Sequence, residues 1–133
     1  MSVEPVTDET FEKEVLQSEL PVFIDLWAPW CGPCRSLSPI VDSLSEDYVG
    51  KVKFVKVNVD ENPSINEAFR VSSIPLVAIL KGNAVVDSLM GLRPKGALAG
   101  WIDAALEHID QGMPDHTPPG ESDATGSKED ADS

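Results

Sequence analysis

Three short runs dominated by apolar and β-branched residues, Val22 to Trp27, Val52 to Val59 and Ile74 to Leu80, are set apart by segments whose apolar residues fall at helical spacing. Apolar runs of this length suit strands buried on both faces, and the intervening period suits helices packed across them. From Cys31 the apolar positions are Leu37, Ile40, Val41 and Leu44. Pro39 should kink that helix rather than end it, because the pattern continues beyond it. Asn62-Pro63 opens a short helix. A last helix starts near Pro94, with Leu98, Trp101, Ile102, Ala105, Leu106 and Ile109 on one face. Ahead of the first run, residues 4 to 6 read as a short strand. Thr7 or Asp8 then caps a helix to about Ser18, with Phe11, Val15 and Leu16 inward. The run "AVVDSLM" follows the third strand across Lys81-Gly82-Asn83, a hairpin signal that makes the two strands antiparallel neighbours. The expected class is α/β: a central mixed sheet of four to five strands, helices on both faces and the hairpin at one edge.

A chain of 133 residues is one domain by length. Residues 113 to 133 hold one large apolar residue, Met113, amid Pro, Gly, Ser and six acids against one lysine. They cannot bury enough surface to offset their ordering entropy, so residues 1–112 are the expected domain and 113–133 an acidic disordered tail. The formal net charge of −13 argues against nucleic acid, whose phosphates need basic partners. It fits solubility or a salt-rich habitat. No apolar run approaches the roughly 18 residues of a membrane helix. The start, "MSVEPVTDETFEKEV", has no basic or apolar leader, which favours a cytoplasmic protein without membrane association.

The chemistry concentrates in "WAPWCGPC", which holds the only two cysteines. A C-x-x-C that follows a strand and opens a helix has the context of a redox motif. Residues i and i+3 share a helix face, so Cys31 and Cys34 can bridge. Cys31 falls at the helix N-terminus, where unpaired N–H groups and the dipole favour a thiolate. Thiolate attacks disulfides, which makes Cys31 the nucleophile and Cys34, one turn deeper, the resolving thiol. Gly32 lets a substrate backbone approach, and Pro33 is tolerated in the first turn. A structural bridge over so short a loop would stabilise little. Zinc would need two more ligands, and neither His108 nor His116 is placed to help, so no metal is expected. Asp25, flanked by Phe23, Ile24, Leu26 and Trp27, is either a desolvated carboxyl of raised pKa or one satisfied by a backbone or lysine hydrogen bond. Lys56 interrupts Val55 and Val57 in what should be the adjoining strand. Trp27 and Trp101 read as core, and Trp30 as exposed beside the thiols. On its own, Pro75 reads as a trans proline opening an edge strand.

"WAPWCGPC", the acid in "IDLWA", Lys56 in "FVKVNVD", "SSIP" at 72 to 75 and Gly91 after the last strand resemble, in order and spacing, the thioredoxin family over roughly residues 4 to 110. The resemblance implies the thioredoxin fold and a thiol-disulfide oxidoreductase that reduces protein disulfides through a Cys31/Cys34 dithiol-disulfide cycle. It implies that Asp25 is general base for Cys34, with Lys56 tuning it. It also implies that Ile74-Pro75 is cis and faces the cysteines, the Ile74 backbone pairing with an extended substrate strand. Trp30, Val59, Ser73, Ile74, Gly91 and Leu92 would form the substrate surface. By the same resemblance no cofactor is bound beyond the redox-active disulfide. Electrons come from an NADPH-dependent flavoprotein, thioredoxin reductase, and the partners are disulfide-bearing client proteins met by a monomer. Ser73 stands where glycine is common in the family and Leu76 where threonine is usual, both at the substrate groove. An alternative is a binding or assembly module of the same fold whose redox activity is incidental. An oxidase or isomerase would want a signal sequence and usually a different dipeptide between the cysteines.

Overall fold

The apolar runs form the middle of a five-stranded sheet. In the computed structural model, which describes residues 3–112, the strands are β1 (Val3–Pro5), β2 (Val22–Trp27), β3 (Lys53–Asn58), β4 (Leu76–Lys81) and β5 (Ala84–Met90). Their order is β1-β3-β2-β4-β5. β1, β3 and β2 run parallel, while β4 is antiparallel to both β2 and β5. The helices are α1 (Gly32–Asp47), α2 (Pro63–Ala68) and α3 (Lys95–Asp110). This is the α/β arrangement expected, with the β4–β5 hairpin at an edge. Gly82 turns it at φ +62, a backbone conformation that glycine adopts without penalty. The tail, with Met113 and His116, lies outside the described residues.

Strand alternation divides the core in two. Phe23, Phe54, Val77 and Ile79 pack with Leu37, Val41 and Leu44 of α1 and Leu98 and Ile102 of α3. Val22, Ile24, Leu26, Val55 and Val57 pack on the other face with Val15 and Ile65. Asp25 shares the parity of Phe23 and therefore lies on the α1 side of β2. Its register partners are Lys56 on β3 and Val77 on β4. α1 runs through Pro39 as one element.

The first helix differs from its expected form. Only Glu12–Leu16 is helical in the regular sense, and it is a wide π turn with Gln17 N–H bonded to Glu12 O at 2.9 Å. Lys53 Nζ donates to the Glu14 carbonyl at 2.8 Å and to its carboxylate at 2.6 Å, so a side chain takes a carbonyl that a longer helix would have used internally. Thr7 and Thr10 bond reciprocally through backbone N–H and hydroxyl at 2.9 and 3.3 Å. Asp8 caps a different helix: its carboxylate accepts from Ser64 N–H at 3.1 Å and Ile65 N–H at 3.0 Å, the first turn of α2.

Candidate functional site

β2 delivers the chain to a turn at residues 28–31, and α1 begins immediately after it. Cys31 is the N-cap of α1 with an extended backbone, φ −90° and ψ 111°. Its Sγ accepts the Cys34 N–H at 3.2 Å, one of the donors that a helix start leaves unpaired. Cys31 and Cys34 are joined as a disulfide with Cα atoms 5.3 Å apart, and each is only 4% exposed. Gly32 and Pro33 open the helix. A Cβ placed on Gly32 would meet nothing nearer than the Arg35 guanidinium at 4.0 Å, so no group among the described residues fills the space above it. Arg35 Nη1 donates to Pro29 O at 2.8 Å and braces the turn.

Four of the six residues expected to form the substrate surface come together. Ile74–Pro75 is cis. Gly91 N–H bonds to Pro75 O at 2.8 Å, and its φ of +95° calls for glycine. Trp30 is 67% exposed and anchored through Nε1 to Asp60 Oδ2 at 2.9 Å. Trp30, Val59, Ser73 and Ile74 line one open hollow of about 370 Å³. Leu92 is exposed and, like Gly91, does not line that hollow.

Behind the disulfide lies a second, smaller cavity of about 110 Å³ that brings Asp25, Lys56 and Cys34 together with Trp27, Arg35 and Ser38. Asp25 is 5% exposed, and its Oδ1 has no hydrogen-bond partner among the described residues. Of the two readings open from sequence, the desolvated carboxyl is the one found. Burial pushes its pKa up to about 7; the Lys56 ammonium pulls it down and the Asp42 carboxylate pushes it further up. Trp27 is half-buried and packs against the core, as expected; it also lines this cavity, and its Nε1 likewise has no partner among the described residues. Ser38 and Asp42 also escaped the sequence reading, although each follows Cys34 at four-residue steps along one face of α1. Asp60 escaped it because its bond to Trp30 spans 30 residues with no local signature. Trp101 packs edge-on against Phe23 and donates to Asp87 at 2.8 Å, a structural role.

Chemically, the arrangement couples a sulfur at the start of α1, a second sulfur one turn deeper, and a carboxyl that titrates near neutrality across a small cavity. Among the described residues no cluster of three His, Cys, Asp or Glu could hold a metal, and no helix is long and apolar enough to cross a membrane.

The thioredoxin family model matches residues 2–104. The chain is 50% identical over 107 residues to a thioredoxin of Synechocystis, covering 80% of this chain and all of the relative. It is 48% identical over 101 residues to thioredoxin 1 of Nostoc, covering 76% of this chain and 94% of that one. Thioredoxin of Rickettsia felis is 46% identical over 101 residues, 76% of this chain and 96% of its own.

Proposed function

The chain belongs to the thioredoxin family and is a thiol-disulfide oxidoreductase, a protein-disulfide reductase; on that premise we propose how its residues divide the work. The redox centre is the Cys31–Cys34 disulfide itself, which needs no bound cofactor. In the reduced protein, the Cys31 thiolate attacks one sulfur of a client disulfide. A mixed disulfide forms and the other client sulfur leaves as a thiolate that takes up a proton. Cys34 gives its proton to the Asp25 carboxylate across the cavity they share, and its thiolate attacks Cys31 Sγ. The second client thiolate leaves, and the Cys31–Cys34 disulfide remains. Two electrons have passed to the client.

The observation that carries this reading is Cys31 at the N-cap of α1, bonded to Cys34 with Asp25 in the cavity behind. Asp25 suits the base role because a carboxyl titrating near 7 both accepts and returns a proton at working pH. Lys56, its register partner, holds that value from rising higher. Ile74 offers its backbone to an extended client segment, with the cis Pro75 fixing the turn. Gly32 leaves room for that segment, Pro33 sets the first turn, and Trp30, Val59, Ser73, Gly91 and Leu92 shape the surface around it. An NADPH-dependent flavoprotein reductase restores the dithiol. The protein works as a cytoplasmic monomer, with residues 1–112 as the working unit and 113–133 as an acidic appendage the cycle does not require.

Trapping tests the division of labour. Cys34→Ser, reduced and exposed to a disulfide-bonded protein, is expected to accumulate a mixed disulfide through Cys31, whereas Cys31→Ser accumulates none. A chain ending at Gly112 should reduce the same protein at the full rate. Equal trapping by both variants would overturn the assignment of nucleophile and resolving thiol.

A further inference from the structure

Arg70 stands where α2 ends, and its backbone is left-handed at φ +52°. Arg70 N–H bonds to Glu67 O at 3.0 Å and Val71 N–H to Asn66 O at 3.2 Å, the closure of a helix by a left-handed residue. That position ordinarily goes to glycine or asparagine, because a Cβ there is disfavoured. Gly50, Gly82, Gly91 and Gly112 follow the rule, and Arg70 is the one non-glycine residue with positive φ among those described.

Nothing within the described chain accounts for a guanidinium held at this disfavoured position. The sequence has 23 acids against 10 basic side chains, yet Arg70 makes no ion pair or side-chain hydrogen bond among the described residues. The ion pairs there are Lys53–Glu14 and Lys95–Asp47. Glu67, three residues before it, gives Arg70 only its backbone carbonyl. Arg70 instead lines an open hollow of about 290 Å³, walled by Phe69, Leu76, Val85 and Met90. The hollow adjoins the one beside Trp30 and Ile74, since Val71 and Ser72 line both.

We infer that this hollow is a second client subsite, in which Arg70 receives the carboxylate of an acidic residue a few positions from the client's disulfide. The inference rests on the reading of the Ile74 groove as the client-binding strand site. An extended segment seated there presents alternate side chains to the same side, so one beyond the reacting cysteine can reach the adjoining hollow. A guanidinium fork binds a carboxylate through two parallel hydrogen bonds, and apolar walls strengthen them. On a chain of net charge −13, acidic clients are otherwise repelled, so one cation beside the groove alters their encounter most.

The test uses two synthetic peptides, each with one intramolecular disulfide flanked on both sides by three Glu in one peptide and three Gln in the other. The protein is expected to favour the Glu peptide about tenfold in kcat/KM at low salt, the worth of one charge-assisted contact, with the preference shrinking as salt rises. Arg70→Gly should bring that ratio to one or below, because the rest of the chain only repels the Glu peptide, while its unfolding midpoint holds or rises, because glycine suits the left-handed position. Arg70→Lys should keep part of the preference. A ratio near one in the unaltered protein, or a preference that survives in Arg70→Gly, overturns the subsite and leaves the reductase reading intact. Failure to reduce either peptide overturns the groove reading, and the subsite with it.

Discussion

At the scale of single residues, Asp25 couples the chemistry to stability. Its carboxyl is desolvated on β2, and its pKa rises from 3.8 to about 7 in the folded chain. The unfolded chain releases this proton near pH 4, whereas the folded chain holds it until near neutrality. Below pH 4 both states are protonated and the group is neutral to stability. Between about pH 4 and pH 7 the unfolded state gains from ionising, so stability falls as pH rises, then levels off above 7. The full displacement corresponds to roughly 4 kcal/mol at 1.36 kcal/mol per pH unit. Asp25→Asn should therefore stabilise the oxidised protein by roughly 2–4 kcal/mol at pH 8 and by almost nothing at pH 4. Urea titrations at the two pH values measure this, and equal gains at both would rule out the ionisation as the cause. The same variant should slow client release at neutral pH, because Cys34 loses its proton acceptor. Asp25 was half legible in sequence: its four apolar neighbours marked a buried carboxyl, but whether it was desolvated or hydrogen-bonded depended on partners from other strands. Arg70 was not, since its unusual φ is set by how α2 closes and not by its own residue type.

Among the elements, β2, β3 and β4 were legible as unbroken apolar runs, α1 and α3 by a period of 3.6 sustained over several turns, and α2 by Asn62-Pro63 at its start. The segment after β1 was not. Thr7 and Asp8 carry an N-cap signature, yet the Asp8 carboxylate serves the α2 N–H groups of Ser64 and Ile65, more than fifty residues away. Asn62 completes the junction: its Oδ1 accepts from Asp8 N–H at 2.8 Å and its Nδ2 donates to Asn58 O at 2.9 Å. A cap supplied from outside the helix leaves no local pattern in the sequence. It also fixes α2, which carries the 69–74 strip to the proposed client groove. Asp8→Ala should cost about 1 kcal/mol of stability, the ordinary worth of a cap, while Asp8→Asn retains most of it. Denaturant unfolding distinguishes them; an Asp8→Ala midpoint matching the parent would mean that Asn62 alone holds the junction.

For the molecule as a whole, the sheet keeps two cores, one under α1 and α3 and the other under α2 and the Glu12–Leu16 turn, and the disulfide packs with the second. That bond opens in every catalytic cycle, so the fold must persist without it. Leu37, Val41 and Leu44 tie α1 to Phe23, Phe54 and Ile79 whatever the state of Cys34. The cross-link itself closes a loop of sequence separation 3, for which loop-closure entropy allows only about 2 kcal/mol. Reduction with dithiothreitol at pH 7 should therefore lower the unfolding free energy by about 2 kcal/mol while far-ultraviolet circular dichroism and the cooperativity of unfolding are retained. A reduced chain that unfolded outright, or lost about 5 kcal/mol or more, would mean that the disulfide and not the paired cores holds α1 in place. A loss near the loop-closure value means that the rest of the fold stores little in the bond. The poise of the pair is then left to the thiolate at the α1 N-terminus and the carboxyl behind it, where a few side chains can set it without disturbing either core.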